Sequence, residues 1–337
     1  MVEARNTQKH SENVPRFLAK SARGLDGIIE KELHTLAITK TLRRDGGVYF
    51  DSNWEDALRA TMKLRCASRV LLPILDFPAY NLDDVYHNML RHNFTKYIDV
   101  RQTLAVHTKV RESILKNPSQ VSLKVKDAIV DQFREKLGRR PDVNKEDPDL
   151  SLYVRVLRNK VSVSIDITGE SLFKRGYRIE HTPAPLKETL AAAMIQIADW
   201  NASLTFFDPM CGSGTLPIEA ALIAQGRDPG TLGRSFLFDR LKSIDPDVRE
   251  KARASLQSAS SLSTPMEIYG SDVDPQAIEI AEANARRAGL KDMIRWRVQD
   301  VKNIQPPSSS GILIVNPPYG ERLANEEGLK KSYVDFG

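Results

Sequence analysis

Between residues 204 and 316 the chain alternates short β-branched or aromatic runs with longer segments of helical spacing. In order these are LTFFD (204–208), TLPIEAALIAQ (215–225), EIYGSD (267–272), PQAIEIAEANARRAG (275–289), IRWRVQD (294–300) and GILIVN (311–316). Strands separated by helix-length crossovers cannot pair as hairpins, so the pattern predicts a parallel, doubly wound sheet. Residues 226–266 interrupt it; ending in the serine-rich SLQSASSLSTP, they read as a helical insertion with a loose exit. Open sheets of this kind bind ligands at the carboxyl ends of their strands. The residues that follow each strand are therefore where chemistry is expected.

The upstream half has a different texture. Residues 1–13 are polar, with no apolar core of a secretory signal, and read as a disordered tail. Leu25, Ile28, Ile29, Leu33 and Leu36 keep a helical stripe, GGVYF (46–50) reads as a strand, and a helix opens near Asn53. With Pro73 and Pro78 bracketing a connector, these outline a small α/β unit at 14–65. A second unit, 66–170, holds an amphipathic helix (Leu82, Val85, Tyr86, Met89, Leu90) and the strand TLAVHTKV. A long helix ending at Gly138 follows, then two alternating strands joined through Arg158-Asn159. The linker SLFKRGYRIEHTPAPLKE puts the start of the last domain, 171–337, near Ser171.

Composition narrows the function classes. Hydrophobic residues are 41% and charged residues 28%, which excludes wholesale disorder, and no apolar run approaches the roughly 18 residues of a membrane span. Cys66 and Cys211 can build neither a four-cysteine zinc site nor a disulfide framework, so the expected compartment is the reducing cytoplasm. The six histidines show no metal-ligand spacing, and no metal is expected. Residues 1–170 carry 29 Lys and Arg against 23 Asp and Glu, whereas residues 171–337 carry 20 against 21. The basic excess lies in the first half, which suggests a polyanion-facing part joined to a part with another task.

The strand tips supply that task. Asp208 is followed by PMCGSGT and then a helix; Gly212 and Gly214 allow a sharp turn, and the helix N-terminus offers unpaired N–H groups to an anionic group. A dinucleotide fingerprint would need a third glycine at position 217, where this chain has Pro217, and that departure argues against NAD. The plainer alternative is a turn that only packs helix on strand. At the second tip Asp272 can accept bonds from both hydroxyls of a ribose, while Asp274 fits an N-cap with Pro275 behind it. Asp300, at the third tip, could accept a proton from an adenine amino group. After the fourth strand comes Asn316-Pro317-Pro318-Tyr319. The Asn316 side-chain oxygen and the Pro317 carbonyl are two acceptors whose direction the prolines fix, and Tyr319 offers a ring for a flipped base. Such a set can hold an exocyclic NH2 by both hydrogens. Cys211 reads as a small side chain in the loop and not as a nucleophile.

With these residues in view the chain resembles the class I S-adenosylmethionine-dependent aminomethyltransferases, and more closely the RlmL/RlmKL-type 23S rRNA guanine-N2 methyltransferases. FLAKSARGLDGIIEKEL resembles that family's ferredoxin-like start. VKDAIVDQFREKLGRRPDV, with SLFKRGYR after the strands, resembles its THUMP RNA-binding module. APLKETLAAAM, DPMCGSGTLPIEAAL, YGSDVDP and NPPYGERL resemble its methyltransferase motifs in order. The resemblance implies a ferredoxin-like unit, a THUMP domain and a Rossmann-like methyltransferase domain. It implies that Asp208, Gly212 and Gly214 hold the methionine portion of the donor, Asp272 its ribose and Asp300 its adenine. Pro185, Leu186 and Lys187 would line the methionine side, and Asn316, Pro317, Pro318 and Tyr319 would hold the target guanine. Contacts to RNA are expected from Lys124, Lys126, Arg134, Lys136, Arg139 and Arg140 on or after one helix, and from Lys174, Arg175 and Arg178 in the linker.

Two other readings stay open beside rRNA guanine-N2 methylation: a tRNA guanine-N2 enzyme with the same parts, and a catalytically idle RNA-binding or assembly protein. Intact Asp208, Asp272 and Asn316 count against the idle form. A DNA adenine-N6 enzyme would share Asn-Pro-Pro-Tyr but has no evident use for the basic first half. Because the resembling domains carry seven strands and this text supplies four, the methyltransferase domain is expected to be C-terminally incomplete. GILIV would then be an open edge, and the chain weakly active alone.

Overall fold

The computed structural model describes residues 14–44, 46–178, 185–258 and 266–317. The first half folds as β1 (Arg16–Lys20), α1 (Asp26–Thr35), β2 (Thr41–Arg44), β3 (Gly47–Asp51), α2 (Trp54–Lys63) and β4 (Arg69–Pro78). It continues through α3 (Leu82–Leu90), β5 (Thr103–Arg111), α4 (Pro118–Leu137), β6 (Asp142–Val143), β7 (Leu150–Leu157) and β8 (Lys160–Asp166). All eight strands form one sheet in the order β2-β3-β1-β4-β8-β7-β5-β6.

The local reasons are readable. Asn53 and Asn117 accept backbone N–H bonds at the starts of α2 and α4, and Gly138 ends α4 in the left-handed conformation. Arg158 and Asn159 both have positive φ, which closes the β7–β8 hairpin. Alternate residues of the strands, such as Phe17, Ala19, Val48, Phe50 and Val70, are buried with Ile29, Leu33 and Leu58 of the helices.

One expectation is corrected. Pro73 and Pro78 do not bracket a connector; they lie within β4, which pairs with both β1 and β8 and so joins the two halves of the sheet. The strand tolerates them because its register shifts between Pro73 and Leu75, and because Pro78 is its last residue.

The second half contains α5 (Glu188–Ile197), β9 (Thr205–Asp208), α6 (Thr215–Ala224), α7 (Pro246–Ala254), β10 (Ile268–Asp272), α8 (Pro275–Arg287), β11 (Arg295–Val298) and β12 (Gly311–Leu313). Its sheet is parallel in the order β11-β10-β9-β12, as the alternation predicts. The insertion before β10 sends Phe236, Phe238, Leu241 and Ile244 into the core of the first half. Polar ties fix the junction: Arg65 donates to the Arg227 carbonyl at 2.6 Å, and Lys63 pairs with Asp228 at 3.0 Å. Among the described residues no helix is long and apolar enough to cross a membrane.

Candidate active site

Asp208 ends β9, and the next six residues turn back over the tip of β10. Cys211 N–H donates to the Ser271 carbonyl at 2.8 Å, and Gly214 N–H closes the turn on the Cys211 carbonyl at 2.9 Å. Gly212 and Gly214 have φ of +51° and +82°, a region other residues enter only at a cost. Packing adds a second requirement at Gly214, where a Cβ would lie 2.8 Å from the Trp296 ring and 2.9 Å from the Ala281 Cβ. Gly270 is tighter still, at 2.5 Å from the same ring. The turn and the helix–strand packing are therefore one device, and Trp296 is the part the sequence did not disclose.

The two acids at adjacent tips behave differently. Asp272 is half-buried, and its carboxylate accepts from Gly212 N–H at 2.8 Å and from Asp274 N–H at 3.1 Å. It thus holds the glycine loop by its backbone, a role not anticipated. Asp208 is fully buried and accepts from Met210 N–H at 3.1 Å. Burial, with the neighbouring charge of Asp272, raises its pKa to about 8 despite that bond. The Cys211 thiol is pushed well above its ordinary range, by burial first and then by Asp208 and Asp272, so it is no thiolate nucleophile.

A cleft opens beside this loop. It is lined by Pro185 and Leu186, by Asp208 and residues 210–213, by Thr215 and Leu216 of α6, and by Asn316. Among the described residues no side chain caps α6, so its first N–H groups can serve an anionic group there. A small donor carrying both a carboxylate and a cation therefore fits the residues present: helix N–H groups for one, Asp208 for the other. Arg178 braces the wall by bonding the Leu186 carbonyl at 2.9 Å, Thr215 Oγ1 at 2.8 Å and Glu188 at 3.1 Å.

Of the anticipated site residues the cleft gathers Asp208, Gly212 and Asn316. Gly214 and Asp272 are not among its lining residues: Gly214 closes the loop and Asp272 holds it through Gly212 N–H. Asp300 caps a short 3₁₀ turn through Lys302 N–H at 3.0 Å and does not line the cleft. Lys187 sets its ammonium over the Phe173 ring, 5.3 Å from its centre, while its neighbours Pro185 and Leu186 face the cleft. Pro317 follows Asn316 directly; Pro318 and Tyr319 lie outside the described residues.

The anticipated RNA contacts divide. Arg175 and Arg178 are corrected. Arg175 is 1% exposed and bonds Glu219 at 3.4 Å, the Leu172 carbonyl at 2.9 Å and the Arg65 carbonyl at 2.5 Å. Arg178 is spent on the cleft wall. A guanidinium enclosed in this way cannot reach a phosphate. Replacing Arg175 by alanine should lower stability by about 3–5 kcal/mol, because Glu219 keeps a buried charge without its partner. Denaturant unfolding measures that loss, and an unchanged midpoint would reject the strut.

Most of the remaining cations have local partners. Lys124 pairs with Asp83, Lys126 with Asp127, Arg134 with Asp131 and Lys174 with Glu170, and Lys136 bonds Asn93. Arg139 and Arg140 are exposed past the end of α4.

Residues 175–337 match the RMKL-like methyltransferase domain, residues 79–166 the THUMP domain and residues 16–71 the RlmL ferredoxin-like domain. Among solved structures, a predicted N6-adenine-specific DNA methylase from Listeria monocytogenes str. 4b F2365 is 34% identical, with a TM-score of 0.86; the match covers 96% of this chain and 84% of that one. SMU.472, described as "a putative methyltransferase complexed with SAH", is 31% identical at a TM-score of 0.86, covering 96% and 85%. A possible methylase from Clostridium difficile 630 is 32% identical at 0.83, again covering 96% and 85%. With these three domain types in one order, and that identity over most of each relative, the chain belongs to the family of methyltransferases that carry an RlmL-type ferredoxin-like domain and a THUMP domain.

Proposed function

We propose that this protein transfers a methyl group from S-adenosylmethionine to the exocyclic N2 amine of a guanine in 23S rRNA. The observation that carries the reading is that Asn316 lines the same cleft as Asp208 and the glycine loop, which supports a shared site for an amine and a methyl donor. The SAH bound to SMU.472 and the THUMP domain support the donor and the RNA class.

When bound, the donor supplies a sulfonium-activated methyl group, so the protein need not provide a strong base. Asn316 and the Pro317 carbonyl orient the amine in line, and the apolar wall of Pro185 and Leu186 excludes water. Tyr319 supplies the ring against which the base stacks. Asp208, Gly212, Gly214 and Asp272 hold the donor, Pro185 and Leu186 line its methionine end beside Lys187, whose ammonium lies over Phe173, and Asp300, outside the cleft, is the candidate for its adenine. Arg139 and Arg140 contribute phosphate contacts.

Labelled S-adenosylmethionine should mark 23S rRNA from a strain lacking this protein, and mass mapping should find the label as N2-methylguanine. Label in tRNA would move the substrate, N6-methyladenine in DNA would move the chemistry, and no label with any of the three would leave the idle form. Replacing Asp272 by alanine should weaken SAH binding in calorimetry by about 1–3 kcal/mol, through lost charge-assisted bonds and a loosened Gly212 turn. An unchanged affinity would remove Asp272 from the donor site.

A further inference from the structure

The helices cover one face of the eight-stranded sheet, and the cations of α4 are largely paired. On the other face the sheet sets like charges opposite one another twice. Lys20 of β1 is the register partner of Arg69 of β4, and Lys109 of β5 is the partner of Arg155 of β7. Tyr153 stands between the two pairs, with the Lys20 ammonium 5.4 Å and the Arg69 guanidinium 5.2 Å from its ring centre. The exposed ring of His107 lies 5.3 Å from that of Tyr153.

The other three cations bear on Lys20. The Lys20 ammonium is held below its ordinary pKa by burial first, and then by Lys109, Arg69 and Arg155. The carboxylate that opposes this among the described residues is Asp166, and Arg69 already bonds it. Like charges directly opposite on a sheet are destabilising. Two such pairs around an aromatic centre make a surface whose repulsion an arriving polyanion relieves.

We propose that this face binds a single-stranded segment of RNA, with phosphates on Lys20, Lys109 and Arg155 and an unpaired base on the Tyr153–His107 platform. Aromatic faces flanked by cations suit an unpaired nucleotide, whose π-face is free; a duplex hides its bases within the stack. The proposal rests on RNA as the substrate class given above, and it places the grip on a face opposite the α4 cations.

The test uses the full chain without cofactor, titrated with a labelled short single-stranded RNA, the same RNA as a duplex, and poly-L-glutamate. The double replacement Lys109→Ala, Arg155→Ala should weaken single-strand binding about tenfold or more and lower the log–log salt slope by about 1.4, for two phosphates at roughly 0.7 each. The pair His107→Ala, Tyr153→Leu should weaken it about fivefold or more with the slope kept, since stacking carries no counterion release. Thermal unfolding at low salt should show the Lys109/Arg155 variant at least as stable as the parent, which separates lost binding from lost fold. Unchanged affinity and slope in the first variant would overturn the proposal. An equal loss on poly-L-glutamate would reassign the face to an acidic protein, and an equal loss on the duplex would remove the single-strand preference; either result overturns it. Lost binding in the variants from a chain that transfers no methyl group supports this surface and overturns only the reaction.

Discussion

Replacing Asn316 by alanine should lower methyl transfer about 10²- to 10³-fold while SAH affinity stays within about twofold of the parent. The magnitude is that of removing one preorganised hydrogen-bonding group from a reacting centre. The asymmetry follows from position. Asn316 lines the cleft after β12, whereas the loop that turns over β10 is held by Asp272 and Ser271. Single-turnover rates with labelled donor, together with SAH calorimetry, measure the two quantities separately. A comparable loss in both would place Asn316 in the donor site and not at the amine.

Replacing Asp208 by asparagine should produce the opposite pair of effects, a more stable protein that binds donor poorly. The free protein holds this carboxyl protonated until about pH 8, while an unfolded chain releases the proton near pH 4. Between those values the unfolded state ionises and the folded state does not, so Asp208 lowers stability progressively as pH rises through the window and no further above it. Asparagine keeps an acceptor for Met210 N–H without that cost. The variant should gain on the order of 2–5 kcal/mol over the parent between pH 4 and pH 8. Denaturant unfolding at several pH values checks the sign, and a stability difference independent of pH would refute it. If Asp208 meets the cationic part of the donor, the parent should also release close to one proton on binding SAH at neutral pH. Calorimetry in two buffers of unequal ionisation enthalpy reads this release, which the asparagine variant should lack.

The loop that Asp208 opens was legible because its causes are local. Strand, glycine turn, uncapped helix and the Asp274-Pro275 cap each occupy a few consecutive residues, and the alternation around them dictates a parallel sheet. What sequence could not show depends on partners far along the chain. Arg175 and Arg178 look like a solvated basic cluster until Glu219 and Glu188 fold onto them, 44 and 10 residues away. The Trp296 ring that forbids a side chain at Gly214 and Gly270 arrives from a third strand. Lys20, Arg69, Lys109 and Arg155 are isolated charges in the text, and only the register of β1, β4, β5 and β7 gathers them. The prolines of β4 misled for a related reason, since their usual effect as strand breakers is cancelled by a bulge and a strand end.

Those prolines bear on how the chain is made. During synthesis β4 finds β1 early, but β8, its partner on the other side, emerges only about eighty residues later. At roughly 5–20 residues per second that is a wait of several seconds, with one flank of an apolar strand bare on the ribosome. A regular strand left in that condition would template pairing with a neighbouring nascent chain. Pro73 and Pro78 lack the N–H groups such pairing needs, and the offset after Pro73 spoils a straight ladder. The same irregularity that β8 accommodates through its matching register would reject a generic strand, so the seam between the two halves is guarded until its own partner is translated.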